Sequence, residues 1–119
     1  MPISVAIIGS GPSAFYTADA LLECGQDVRV DIIERLPAPF GLIRYGVAPD
    51  HQTTKNVSRA FDKTAREAPV SFFGHVEVGR DVSVSELKSM YDAVVVAMGA
   101  PHDRPLGIPG ENKAGVVGS

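Results

Sequence analysis

Val5-Ala6-Ile7-Ile8-Gly9-Ser10-Gly11-Pro12-Ser13-Ala14 is the stretch on which the fold turns. Its first half is an unbroken apolar run that alternates too little for a half-exposed strand, so residues 4–8 are expected to form a strand buried on both faces. Gly9 permits a tight turn off the strand, and Gly11 lets the main chain approach a bound group with no Cβ in the way. Pro12 is tolerated at the start of a helix, where its missing N–H has no intrahelical partner. Ala14 is small enough for close helix–strand packing. Residues 12–24 carry Ala14, Phe15, Ala18, Leu21 and Leu22 on one helical face, and Gly25 follows where helices often require a left-handed residue. Residues 28–34 are rich in β-branched and apolar side chains and form the next expected strand. The unit is a strand–helix–strand crossover of about thirty residues, which implies a parallel sheet.

A glycine pattern between a strand and a helix offers free N–H groups and the positive end of the helix dipole to phosphates. Glu34 ends the second strand, twenty residues beyond Ala14, where a carboxylate accepts hydrogen bonds from an adenosine ribose. Gly9, Gly11, Ala14 and Glu34 therefore point to a dinucleotide. Like-charge repulsion from Glu34 disfavours a 2'-phosphate there. FAD and NAD both satisfy this reading, and local chemistry does not separate them.

Outside that unit the pattern continues. Residues 35–51 hold Pro37, Pro39, Pro49, Gly41 and Gly46, a long irregular loop too apolar for disorder. A helix is expected over 53–66, with Val57, Ala60, Phe61 and Ala65 on one side, then short strands at 70–73 and 76–78. Ser83 and Glu86 have capping-box spacing and open a helix carrying Leu87 and Met90. Residues 92–98 are the most apolar strand candidate and are expected to be buried on both faces. The expected fold class is α/β, a Rossmann-like doubly wound parallel sheet.

The 119 residues suit one small domain, and a 45% hydrophobic content is adequate for its core. Eleven basic and fourteen acidic residues give a formal charge of -3, which argues against a dedicated nucleic-acid binder. Cys24 is the only cysteine, which excludes an internal disulfide or a cysteine-rich metal site within these residues. His75 and His102 lack convergent ligands, so no metal site is expected. The N-terminus does not read as a signal peptide and no apolar run is long enough to span a membrane, so a cytoplasmic protein is the simplest expectation.

Pro39-Phe40-Gly41-Leu42-Ile43-Arg44-Tyr45-Gly46-Val47-Ala48-Pro49-Asp50-His51 resembles the loop that marks adrenodoxin-reductase-like ferredoxin:NADP+ reductases. The opening through Phe15 is similar to the same family. So, in order, are Lys55-Asn56-Val57, Phe72-Phe73-Gly74, Val76-Glu77-Val78-Gly79, Tyr91-Asp92-Ala93-Val94 and Ile108-Pro109-Gly110-Glu111. The resemblance implies a flavoprotein with two dinucleotide-binding domains, of which residues 1–119 are the N-terminal portion of the FAD-binding domain. The NADP-binding domain and the C-terminal part of the FAD domain would lie outside these residues. It further implies that NADPH reduces FAD and that electrons pass singly to a ferredoxin-like iron–sulfur protein, with the cofactor carrying the chemistry.

Residue by residue, the resemblance places Gly9, Gly11 and Ser13 near the FAD pyrophosphate and Glu34 at its ribose. Gly41 and Leu42 would line the cofactor, the Val78 main chain would sit near adenine, and Gly99 would lie close to the cofactor. His51 matches a histidine near the isoalloxazine and is the candidate catalytic residue. Arg44 would balance charge near the flavin or steady its loop, a surface salt bridge being an equal alternative, and Arg104 would anchor the segment leading toward the NADP domain. Gln52 departs from the proline that commonly follows the histidine. A glutamate-synthase small-subunit type of FAD module and a non-catalytic nucleotide-binding module are the alternative readings.

Overall fold

In the computed structural model, residues 1–46, 50, 53, 56–100, 102 and 104–117 are described. Among these, four strands, β1 (Ile3–Ile8), β2 (Val28–Ile33), β3 (Val70–Phe73) and β4 (Ala93–Val96), form one sheet in the order β3-β2-β1-β4. Every pairing is parallel: Ile3 to Ile8 of β1 stand beside Val28 to Ile33 of β2, and Val5 to Ile8 also stand beside Ala93 to Val96 of β4. The chain thus moves outward from β1 to β3 and then returns across to the far side of β1. Such a reversal opens a crevice beyond the carboxyl ends of the strands on either side of it, here β1 and β4.

Side chains alternate between the two faces of the sheet. Val5, Ile7, Val28, Val30, Ile32 and Val70 form one core with helix α1 (Pro12–Glu23) and helix α3 (Ser58–Ala65). Ala6, Ile8 and Ile33 form the other with Leu87 of helix α4 (Val84–Met90). Helices on both faces make the fold a doubly wound, Rossmann-like sheet, as the sequence pattern predicts. On the first face Phe15 is sealed from solvent at 1% exposure and stacks on Phe61 with ring centroids 5.2 Å apart. Thr64 Oγ1 donates to Asp19 Oδ1 at 2.7 Å and joins α3 to α1. Burying one such aromatic side chain stabilises the fold by about 1.5–3 kcal/mol.

On the second face the buried carboxylate of Asp31 accepts a 2.6 Å hydrogen bond from the Tyr91 hydroxyl and stands 3.6 Å from Arg29. Burial, the hydrogen bond to Asp31 and its charge push the Tyr91 hydroxyl up to about 12. At the start of β4, Asp92 Oδ2 accepts from both Ser4 N and Ser4 Oγ, and these bonds hold its carboxyl below the usual range. The expected capping box is complete: Ser83 Oγ accepts from Glu86 N, and Glu86 Oε2 accepts from Ser83 N.

Four expectations differ from the structure. Residues 76–78 are not a strand: the chain turns at Gly79, Glu77 N donates to Asp81 Oδ2, and the Val78–Val82 bridge stands alone. The strand expected over 92–98 is four residues long and is not buried on both faces. Val96 is 65% exposed, because among the described residues no strand pairs with the outer edge of β4. The loop over 35–51 contains a one-turn helix, α2 (Leu42–Tyr45). The helix expected over 53–66 is seen as α3 only from Ser58 to Ala65, with residues 56 and 57 in a turn and residues 54 and 55 outside the described residues. No helix among the described residues is long and apolar enough to cross a membrane.

Candidate dinucleotide site

The main chain leaves β1 at Gly9, whose N–H donates to Ile33 O at 2.8 Å and carries the β1–β2 ladder one step past the last paired strand residues. Gly9 has φ +110°, and a Cβ there would stand 2.1 Å from the Ala97 carbonyl oxygen. This glycine is required by the close approach of the chain leaving β4 as well as by the turn. Gly11 is the opposite case. Its φ is -82°, and a Cβ added to it would meet no protein atom within 4 Å. It precedes Pro12, and no side chain caps the helix that begins there. The first N–H groups of α1 and its positive dipole end thus face the crevice, the environment that favours an anion.

The segment after β2 folds back onto this turn. Phe40 N donates to Ser10 O at 2.9 Å, and a Cβ on Gly41 would lie 3.1 Å from Gly11 Cα, so two main chains run nearly in contact. Phe40 adopts φ +90°, a conformation costly for a bulky residue. Its ring is held at 5.5 Å from Phe15, and Arg44 stacks over it at 5.1 Å while Arg44 Nε donates to Pro39 O. Arg44 therefore steadies the loop.

Glu34 is fastened on every side. Its N–H donates to Phe73 O, its carbonyl accepts from Val76 N, Oε1 accepts from Leu36 N at 3.2 Å and Oε2 accepts from Ser10 Oγ at 2.5 Å. Two donors leave acceptor capacity on a carboxylate with about four lone-pair sites. Between these parts lies an open cleft of about 520 Å3, within the usual size of small-molecule sites. Gly9, Gly11, Ser13, Glu34, Gly41, Leu42, Val78 and Gly99 all line it. Ala14 does not: it is fully buried in the core beneath α1, where it serves packing. His51 lies outside the described residues.

Other cleft residues include Ser10, Arg35, Leu36, Val76, Met98 and His102, none of them singled out from the sequence as a binding residue. No signal in the sequence marks Ser10; the folded sheet does. The register Ile8 to Ile33 sets Gly9 beside Glu34, so a hydroxyl one residue later falls within reach of that carboxylate. Among the described residues no group of three or more histidine, cysteine or acidic side chains converges on a metal site.

The chain has relatives among known proteins, and its fold is shared with a solved structure. It is 56% identical over 112 residues to the NADPH:adrenodoxin oxidoreductase, mitochondrial, of Salvelinus fontinalis, covering 94% of this chain and 22% of that protein. It is 49% identical over 121 residues to the NADPH-ferredoxin reductase FprA of Mycobacterium tuberculosis, covering 98% of this chain and 26% of that one. A solved structure of Mycobacterium tuberculosis FprA in complex with NADPH superposes with a TM-score of 0.91 at 49% identity, over 98% of this chain and 27% of that chain. This chain is a homologue of the adrenodoxin reductase and FprA family. It spans about a quarter of the length of the curated relatives it matches. No family model matches it.

Proposed function

We propose that this chain is the segment that holds the ADP half of FAD in an NADPH:ferredoxin oxidoreductase of the adrenodoxin type. The observation that carries the reading is the convergence of an uncapped helix N-terminus, a Cβ-free approach at Gly11 and the fixed carboxylate of Glu34 on one cleft at the topological switch point. The three suit a pyrophosphate, a close main-chain contact and a ribose, in the order a dinucleotide presents them. In this reading Gly9, Gly11 and Ser13 surround the pyrophosphate, and Glu34 accepts from the ribose. Val78 lies toward the adenine, Gly41 and Leu42 form the loop side of the cleft, Gly99 lies at its β4 end, and Ala14 supports the helix from below. His51 is the candidate flavin-proximal catalytic residue of this reading. High identity to adrenodoxin oxidoreductases supports this reading over a glutamate-synthase type of module.

Within the whole protein, bound FAD supplies the conversion between two-electron and one-electron chemistry. The residues here bind and orient it: the helix end and Gly11 fix the phosphates, and Glu34 fixes the sugar. The loop at Phe40–Gly41 keeps its geometry through core packing. NADPH as donor and a ferredoxin-like iron–sulfur protein as acceptor are part of the same proposal, as is a nicotinamide site outside residues 1–119.

Calorimetric titration of the chain with FAD and with ADP is expected to show saturable binding of both, weakened about tenfold in Glu34→Ala through loss of a charge-assisted hydrogen bond. Absence of saturable binding, or binding indifferent to Glu34→Ala, would overturn the assignment. The chain supplied with FAD is expected to show no NADPH-dependent ferricyanide reduction. Turnover in that assay would disprove a nicotinamide site lying elsewhere.

A further inference from the structure

Ser10 occupies the variable position between the two glycines, a place where the glycine pattern itself asks for no particular side chain. It is nevertheless among the most deeply buried residues, at 1% exposure, and both of its polar ends are committed. Its carbonyl accepts from Phe40 N at 2.9 Å, and its hydroxyl donates to Glu34 Oε2 at 2.5 Å across a separation of 24 residues. Its single hydroxyl proton is thereby spent on the carboxylate and not on the phosphate side of the turn. The second oxygen, Oε1, is held by Leu36 N, so the carboxylate plane is set by one donor on each side.

We propose that Ser10 is a positioning residue that sets Glu34 for the ribose 2'-hydroxyl and thereby helps the site select a ribonucleotide. The inference rests on the dinucleotide reading above and adds a residue to it. A carboxylate with one oxygen fixed and the other free rotates about its terminal torsion, which is broad and costs little to turn. With both oxygens fixed, its remaining lone pairs point in directions already chosen before the sugar arrives. Preorganisation of this kind strengthens a hydrogen bond without adding a contact. A donor aimed at the phosphates would behave differently, because phosphate contacts do not distinguish one sugar from another.

The test compares ADP with 2'-deoxy-ADP, which share adenine and phosphates and differ at one hydroxyl. Affinities are measured calorimetrically for the unsubstituted chain, Ser10→Ala, Glu34→Ala and the double variant. The unsubstituted chain is expected to prefer ADP by about tenfold, the worth of one charge-assisted hydrogen bond. Ser10→Ala is expected to shrink that preference about threefold or more while binding 2'-deoxy-ADP nearly as before, and to have no further effect on the preference once Glu34 is alanine. An unchanged preference in Ser10→Ala overturns the role. So does an equal loss for both nucleotides, which marks a phosphate contact or a merely structural part. Failure of the unsubstituted chain to bind either nucleotide overturns the dinucleotide reading, and this inference with it.

Discussion

Gly9 and Gly11 stand two residues apart in the same turn, yet the structure requires opposite consequences from the same substitution. In Gly9→Ala, the new methyl group lies 2.1 Å from Ala97 O and 2.6 Å from Ala97 C, both main-chain atoms that cannot rotate away. Relief demands that the chain leaving β4 move by more than 1 Å, which breaks the 2.8 Å bond from Ala97 N to Ile8 O. That bond is worth about 1 kcal/mol and forced overpacking about 1–3 kcal/mol more. Holding alanine at φ +110° adds about 1–3 kcal/mol. The loss is therefore about 3–7 kcal/mol, a large part of the 5–15 kcal/mol (roughly) that stabilises a domain.

In Gly11→Ala the methyl meets nothing within 4 Å and φ is -82°, which any residue adopts. The reduced freedom of the unfolded chain favours alanine by about 0.4–1 kcal/mol, and the poorer helix cap offsets it by a similar amount. Stability is expected within about 0.5 kcal/mol of the parent chain. Nucleotide binding is expected to weaken, since the methyl occupies the space through which a pyrophosphate reaches the main chain. Urea denaturation followed by circular dichroism measures the first effect, and ADP titration the second. A Gly9→Ala variant within 1 kcal/mol (approximately) of the parent, or a Gly11→Ala variant destabilised by more than that, would refute the reasoning.

Two further expectations follow from the packing. Phe15→Ala removes the ring that stacks on Phe61 and supports Phe40, and is expected to cost about 3–5 kcal/mol by urea denaturation. A loss below about 1 kcal/mol would mean that this cluster is not the centre of the core. Tyr91 responds at alkaline pH: its folded value of about 12 lies above the ordinary 10, so its contribution is complete below pH 10 and is lost as pH rises through about 12. Tyrosinate absorbance should show one of the three tyrosines ionising last, and Tyr91→Phe should flatten the stability profile between those values. A profile unchanged by that substitution would contradict Tyr91, raised first by burial and then by its bond to Asp31, as the source of this pH dependence.

The parts of this protein legible from residue order are those governed by short-range physics. Residues 4–34 read as strand, turn, helix and strand because apolar periodicity, Pro12 and Gly25 act over a few residues. The Ser83–Glu86 box is equally local, and Glu34 is conspicuous because it ends an apolar strand. Composition could not show that among the described residues β4 would pair on one side only, because an apolar run reads the same in the middle of a sheet as at an edge. Nor did apolar content at 76–78 make a strand, since Gly79 and Asp81 turn the chain first.

Tertiary structure alone decided what the cleft residues do to one another. The main chain after β4, nearly ninety positions from Gly9, is what forbids a side chain there. Folding of the 39–42 loop onto the Gly9–Gly11 turn places Phe40 in its costly conformation and keeps it there by packing against Phe15 and Phe61. The parallel register brings Ser10 to Glu34 and turns a variable position of the glycine pattern into a partner of the carboxylate. Each of these effects depends on the distance between groups remote along the chain, a quantity that exists only once the chain has folded.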